Sequence, residues 1–217
     1  MFCFGMLEIK MQIISLKNEQ LALTRAVNVL KKGGVVVLPT DTVYGLCADA
    51  MNEKDIKRVF AIKGREASKA LPVLVSDATM RQKVAHVPPD IETKIDELGS
   101  ITAVVHARGW MPLSLRGGKL SIGVRIPNHD FLLEVITKCG GPITGTSANI
   151  SGQPSQTKID EVIMAFKNRR HAPDLIVNAG DLPERSPSRI FDFTKTPPQV
   201  LRTEAINGEA LQKILEP

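Results

Sequence analysis

The chain has 217 residues, of which 43% are hydrophobic and 24% are charged, enough for one globular unit with a sizeable core. No run approaches the roughly 20 apolar residues that a membrane-crossing helix needs, so integral membrane proteins are excluded. The formal net charge of +5 favours an anionic partner such as a nucleotide or a nucleic acid.

The cysteines and the start of the chain indicate the compartment. Cys3, Cys47 and Cys139 are odd in number and have no CxxC spacing, which indicates neither a disulfide framework nor a cysteine-rich zinc site. We therefore expect a reducing cytoplasm. The apolar start is short and lacks a positive region, so it does not resemble a signal peptide. We expect residues 1–217 to form a single domain, with residues 1–12 either disordered or preceding the true start.

Hydrophobic spacing predicts a mixture of helices and strands. Helices are predicted over 19–32, 53–63, 78–84, 90–98, 130–138, 158–166 and 209–215, and strands over 35–38, 71–75, 101–105, 121–126, 175–177, 188–193 and 199–202. This mixture predicts the α/β class. We found no internal repeat and no linker long enough to divide the chain.

The usual nucleotide and hydrolase signatures are missing: the sequence has no Walker A motif, HExxH or GxSxG. The four histidines are scattered, so no metal site built from protein side chains is predicted.

Polar loops instead follow apolar strands, where open α/β sheets place their ligands. The first such loop, residues 39–45, offers hydroxyls and the phenol of Tyr44. By itself it is more typical of a turn in which Asp41 bonds its own backbone.

The second loop places three cations, Lys63, Arg65 and Lys69, within seven residues at a predicted helix end. Arginine can grip two phosphate oxygens at once and lysine adds a mobile charge, so the loop suits a polyphosphate. The alternative is that Lys63 and Arg65 complement the negative end of the helix, which Gly64 caps. The spacing alone leaves both interpretations open.

The third loop, residues 144–152, packs hydroxyls, an amide and glycines between a strand and a helix. Small residues let backbone N–H groups approach an anion, and Ser147 and Asn149 can complete such a cradle. A plain turn would not need so many donors, so this loop favours a binding function. Arg125 and Arg202, near strand ends, can add cations, although either alone is typical of a solvated surface arginine.

Together these stretches resemble the YrdC/TsaC family of threonylcarbamoyl-AMP synthases, from about Ile13 to Leu215. The resemblance rests on six stretches in order: 39–46 (PTDTVYGL), Lys63-x-Arg65 with 69–71 (KAL), 124–127 (VRIP), 146–152 (TSANISG), 186–190 (SPSRI) and 200–202 (VLR).

The resemblance implies a twisted open mixed sheet flanked by helices around a basic concave cavity. It implies a nucleotidyltransferase that joins L-threonine, bicarbonate and ATP, with Mg²⁺, into threonylcarbamoyl-AMP, the precursor of a tRNA modification. Catalysis then falls to Lys63 and Arg65. The implied ATP contacts are Arg65, Lys69, Ser147, Asn149, Ser155 and Arg202, and the implied threonine contacts are Thr42, Tyr44, Arg125 and Ser188.

Several positions depart from the family pattern, including Ala70, Arg189 and Gly145. We expect a short-form member without the C-terminal extension of longer members, and we predict that flexible segments such as 108–119 close its site. The predicted partners are the tRNA threonylcarbamoyl-transfer machinery and RNA itself. Two alternatives remain: a YciO-type paralogue of another activity, and a non-catalytic module that binds double-stranded RNA.

Overall fold

The computed structural model describes residues 11–202. Within that range the helices are α1 (Glu19–Lys31), α2 (Glu53–Lys63), α3 (Ala78–Val84), α4 (Pro89–Leu98), α5 (Leu113–Arg116), α6 (Asp130–Cys139) and α7 (Ile159–Phe166). The strands are β1 (Gln12–Ser15), β2 (Val36–Leu38), β3 (Gly45–Cys47), β4 (Val73–Leu74), β5 (Ala85–His86), β6 (Thr102–Ala107), β7 (Ser121–Arg125), β8 (Ile143–Thr144), β9 (Thr146–Ser147), β10 (Leu175–Asn178), β11 (Ile190–Asp192) and β12 (Gln199–Arg202).

The predicted helices and strands are confirmed within the described range, with small differences at their ends. The strand predicted over 71–75 is reduced to β4, because Pro72 has no N–H to donate to a neighbouring strand. The short elements β1, β3, β5, β8, β9 and α5 were not predicted. The predicted helix over 209–215 and most of residues 1–12 lie outside the described residues.

The strands form two sheets where we predicted one open sheet. The small sheet has the order β1-β10-β2-β3-β9, and the large sheet has the order β12-β11-β6-β7-β4-β8 with β5 paired to β6. Both are mixed: the pairs β1/β10, β10/β2, β11/β6 and β4/β7 are parallel, and the others are antiparallel. The α/β class of the prediction is confirmed.

Strand β2 of the small sheet is buried on both faces, as expected for a continuous apolar run. Val36 and Leu38 of β2 pack with α1 and α6, while Val35 and Val37 pack into a second cluster with α2 and α7. The large sheet differs, because in β7 the buried apolar residues Ile122 and Val124 alternate with the small or polar residues Ser121, Gly123 and Arg125. One of its faces joins the second cluster, and the other is left for the functional site.

The chain passes from the large sheet to the small one at Gly145, between β8 and β9. Its N–H donates to the Pro72 carbonyl at 2.8 Å. A Cβ atom at this position would lie 2.5 Å from Cγ of Leu74, far inside van der Waals contact. The glycine that departs from the family pattern therefore fills a place that has no room for a side chain.

The segment 108–119, predicted to be a flexible closing segment, contains α5 and packs against the loop after α2. The Leu71 N–H donates to the Leu115 carbonyl at 2.8 Å. Gly117 has a left-handed conformation (φ 57°), and a Cβ there would lie 2.3 Å from the Ser68 carbonyl oxygen. Close backbone approach at Gly117 thus fixes this segment beside residues 66–71. No helix within residues 11–202 has the length and hydrophobicity needed to cross a bilayer.

Candidate functional site

A cavity of about 560 Å³ lies over the exposed face of the large sheet, a volume typical of small-molecule sites. Its floor is made of alternate residues of the strands: Leu74, Thr102, Val104, Ser121, Gly123, Arg125, Ile190 and Asp192. Its walls come from the loop between β2 and β3, from the segment around β9, and from Arg65 and Ala70. Both sheets therefore contribute to one cavity.

The charges of the lining are mostly positive. Among the described residues that line the cavity, the cations are Arg65, Lys119, Arg125, Lys195 and Arg202, and the single carboxylate is Asp192. Such a lining concentrates a positive field inside low-dielectric walls and attracts anions.

Arg125 forms one end of the cavity at the carboxyl end of β7. Its Nη2 donates to Oδ2 of Asp41 at 2.8 Å, and both side chains are more than nine-tenths buried. Ser100 donates to the same carboxylate oxygen at 2.8 Å and lies 3.2 Å from Nε of Arg125. The remaining Nη1 lies 3.3 Å from the Thr42 hydroxyl, inside the cavity. Burial lowers the pKa of Arg125, and the Asp41 carboxylate opposes that shift.

Ser188 lies at the same end of the cavity. Its hydroxyl is 2.8 Å from that of Thr102, and its carbonyl accepts a 2.9 Å hydrogen bond from Nε of Arg202. We predicted an ATP contact at Arg202 and a threonine contact at Ser188, and the structure places the two side by side. Thr42, Arg125 and Ser188, the three residues assigned to threonine together with Tyr44, are thus brought together.

Arg65 lies at the other end of the cavity. Helix α2 ends at Gly64 in the left-handed conformation, and the Arg65 N–H returns to the Phe60 carbonyl at 3.0 Å, which turns the chain sharply after the helix. Nη2 of Arg65 donates to the Ala70 carbonyl at 2.8 Å, while its buried Nε has no partner among the described residues. Ser147 lines the cavity as well.

Lys63 does not line the cavity but holds its wall in place. The side chain is 2% exposed, and its ammonium donates to the Ser147 carbonyl at 2.5 Å, the Asn149 carbonyl at 2.9 Å and Oδ1 of Asn149 at 3.1 Å. Oδ1 of Asn149 also accepts from the Ser147 hydroxyl at 2.5 Å. The structure therefore gives Lys63 and Asn149 a positioning role toward Ser147, where we had predicted a catalytic lysine and an ATP contact.

The buried position of Lys63 predicts a pH dependence of stability. Burial, followed by repulsion from Arg65, lowers the pKa of Lys63 from 10.5 to about 7. Between those values the unfolded chain binds a proton that the folded chain has lost, so the free energy of unfolding rises with pH. Lys63→Met removes this term. We therefore expect the wild type to become more stable relative to the variant as the pH rises. The difference between their free energies of unfolding, measured by urea titration, should grow by about 1 kcal/mol per pH unit above pH 7. The same difference at all pH values would contradict the assignment.

Besides Lys63 and Asn149, three further predicted contacts lie outside the cavity lining. Tyr44 is completely buried, and its hydroxyl donates to the Gly180 carbonyl at 2.6 Å and accepts from the Ala179 N–H at 3.1 Å. Lys69 is exposed and pairs with Glu66 at 3.8 Å on the surface. Ser155 is half-buried in the segment after the third loop. The structure thus gives Tyr44 a role in packing and does not bring Lys69 or Ser155 to the cavity.

Sequence reasoning missed several residues of the lining. Thr102 and Asp192 lie on strands whose period of two could have identified the inward face. Lys119 and Lys195 precede β7 and follow β11, in connections whose path a single sequence does not specify. Asp41 was interpreted as a turn residue, since its ion pair with Arg125 joins positions far apart in the chain.

Comparison with known proteins identifies the family of the chain. The family model for Sua5, YciO and YrdC proteins, described as "Telomere recombination", matches residues 28–204. The chain is 31% identical over 193 residues to the threonylcarbamoyl-AMP synthase of Pyrococcus abyssi, a match that covers 88% of this chain and 56% of that protein. It is 32% identical over 176 residues to the threonylcarbamoyl-AMP synthase of Vibrio cholerae, which covers 74% of this chain and 94% of that protein.

A solved structure shares the fold. The crystal structure of P. abyssi Sua5 complexed with L-threonine matches with a TM-score of 0.85 at 29% identity, covering 94% of this chain and 60% of that chain. The chain spans about half the length of several curated relatives that it matches. Because the family model covers most of the sequence, the chain belongs to the Sua5/YciO/YrdC family.

Proposed function

We propose that this protein is an L-threonylcarbamoyladenylate synthase, which converts L-threonine, bicarbonate and ATP into threonylcarbamoyl-AMP and pyrophosphate. The observation that carries the proposal is the arrangement of the cavity. Arg125, Thr42 and Ser188 lie together at one end, Arg65 lies at the other, and Ser147 lines the wall where Lys63 holds its carbonyl. Proteins with the proposed activity are found among the relatives in archaea, bacteria and mammals.

The two ends suit the two substrates. The threonine carboxylate is placed against Nη1 of Arg125 and the Thr42 hydroxyl, because a charged donor inside a buried site favours a carboxylate. The ATP phosphates are placed against Arg65 and Ser147. Strand β7 separates Ser121 from Arg125 by four residue steps, or about 13 Å. This distance leaves room for the carbamoyl group and the α-phosphate between the ends.

The chemistry needs no side-chain nucleophile. Bicarbonate takes up a proton and loses water to give CO₂, and the neutral amine of threonine adds to CO₂ and releases a proton to form a carbamate. A carbamate oxygen then attacks the α-phosphorus and displaces pyrophosphate. The protein aligns the two reactants, excludes water from the carbamate and neutralises charge on the phosphate oxygens. Arg65 is the residue placed to do the last of these, while Lys63 and Asn149 keep the Ser147 segment in position.

The residues present fit a magnesium ion that is held mainly by phosphate oxygens. No cluster of three metal-binding side chains occurs in the described part of the chain. Asp192 offers one carboxylate to the cavity, and its Oδ1 already accepts hydrogen bonds from the Thr194 N–H at 2.9 Å and the Thr194 hydroxyl at 2.6 Å. A magnesium ion bound there would reduce the negative charge of the phosphates, as is usual in phosphoryl transfer.

The proposal extends to the place of the protein in the cell. The product would pass to the tRNA threonylcarbamoyl-transfer machinery in the cytoplasm, where Cys47 and Cys139 remain reduced, as they are here. Because walls from both sheets enclose one cavity, we treat the chain as a single catalytic unit. We also propose that the protein contacts RNA directly, because the chain carries a net positive charge.

The proposal is tested by pyrophosphate release from purified protein with ATP, Mg²⁺ and bicarbonate, with and without L-threonine. We expect release only when threonine and bicarbonate are both present. Release independent of threonine would indicate another acceptor, as for a YciO-type paralogue. No release under conditions in which the Vibrio cholerae relative is active would contradict the proposal and favour the RNA-binding module.

A further inference from the structure

Two lysines, Lys119 and Lys195, line the cavity and have no part in the function as derived so far. We propose that they form a second cationic pair, which binds the β- and γ-phosphates of ATP and the pyrophosphate that leaves. The inference rests on the proposed function, because it names the part of the substrate that this end of the cavity takes.

Strand register places both lysines at the same end of the cavity. Strand β6 is antiparallel to β7 and parallel to β11, with Val104 opposite Gly123 and Asp192. The start of β7 and the end of β11 therefore lie at the same end of the sheet. Lys119 comes two residues before β7 and Lys195 three residues after β11, so both lie beyond this end of the sheet, away from Arg125.

Arg65 lies near the same end of the sheet. Strand β4 runs parallel to β7 with Val73 opposite Val124, so Ala70, whose carbonyl holds the Arg65 guanidinium, lies toward the start of β7. Close approach of Gly117 to the Ser68 carbonyl ties the Lys119 segment to the Arg65 loop. The three cations thus surround one end of the cavity.

Charge balance at this end points to a ligand with more than one negative charge. Neither Lys119 nor Lys195 has an ion-pair partner within residues 11–202, and both are exposed residues of the cavity lining. Asp192 is the nearby carboxylate of the lining, and Thr194 engages one of its oxygens. A triphosphate with its α-phosphate between the two ends would place its outer phosphates here, where flexible ammonium groups make charge-assisted hydrogen bonds.

The test measures binding without turnover. Isothermal titration with inorganic pyrophosphate and with AMP, in the presence of Mg²⁺ and without threonine, is applied to the wild type, Lys119→Ala, Lys195→Ala and the double variant. We expect each single change to weaken pyrophosphate binding about tenfold and the double change about 100-fold, with AMP binding changed less than about twofold. Lys57→Ala, an exposed lysine of α2 that does not line the cavity, controls for net charge.

Pyrophosphate binding unchanged in the double variant would overturn the inference, and so would an equal loss for AMP and pyrophosphate. These outcomes are separable from failure of the proposed function. A protein that binds pyrophosphate through Lys119 and Lys195 but makes no adenylate keeps the inference and loses the synthase. If the wild type makes the adenylate and the double variant binds pyrophosphate normally, the synthase function stands and the inference about the two lysines fails.

Discussion

Replacing Arg65 by alanine is expected to lower threonine-dependent pyrophosphate release by about 10²-fold to 10³-fold. An arginine that neutralises charge on transferring phosphates contributes this much or more in related chemistry. The structure adds a reason: Arg65 is held against the Ala70 carbonyl, so its remaining donors are pre-oriented toward the cavity. Steady-state rates at several ATP concentrations give the measurement.

Arg65→Lys and Lys57→Ala are the matched variants for this test. Lysine keeps the charge but loses the planar fork, so we expect it to recover about one tenth of the wild-type rate. Lys57→Ala should leave the rate unchanged, since Lys57 does not line the cavity. A rate within a few-fold of wild type in Arg65→Ala would contradict the catalytic assignment. If the protein were an RNA-binding module, the same change would only weaken RNA binding.

Loss of Arg125 is expected to remove threonine binding while leaving ATP binding within about twofold of wild type. Arg125→Ala alone would leave the buried carboxylate of Asp41 without its partner, which costs about 3–5 kcal/mol. The variant of choice is therefore the neutral pair Asp41→Asn with Arg125→Ala, which removes both charges together. We expect it to be more stable than Arg125→Ala and to raise the threonine KM at least about 100-fold.

Two comparisons make this result specific. Arg125→Lys keeps a cation near Asp41 but loses the guanidinium edge near Thr42, so an intermediate threonine KM is expected, about tenfold above wild type. Thermal unfolding of all variants separates misfolding from lost binding. If the neutral pair folds and saturates with threonine at wild-type concentrations, then Arg125 does not bind the substrate carboxylate.

Much of the fold could be predicted from the sequence, because its signals are local. Helix α2 begins after Asn52, which caps it, and ends at Gly64, and the predicted range 53–63 equals the observed one. The continuous apolar run over 35–38 predicted a strand, and the structure confirms it as β2, which is buried on both faces. The division into two sheets was not predicted, since it depends on the two-residue strands β8 and β9 and on the contact of Gly145 with Leu74.

The sequence motifs predicted the site residues that they contain. They did not predict the residues that reach the cavity through the arrangement of the strands. Arg65, Ser147, Arg125, Thr42, Ser188 and Arg202 were predicted and line the cavity. Lys63 was predicted as a catalytic cation, and its burial against the 147–149 segment could not be inferred from spacing. Lys119 and Lys195 reach the cavity only because β7 and β11 flank β6, a tertiary arrangement that a single sequence does not display.

The most direct measurement is mass spectrometry of the adenylate formed from ATP, L-threonine and ¹³C-labelled bicarbonate. We expect a product with the mass of threonylcarbamoyl-AMP, heavier by the label, that requires all three substrates and forms about 10²-fold to 10³-fold more slowly in Arg65→Ala. Consumption of ATP with an adenylate that lacks the label, or with no adenylate, would contradict the synthase activity.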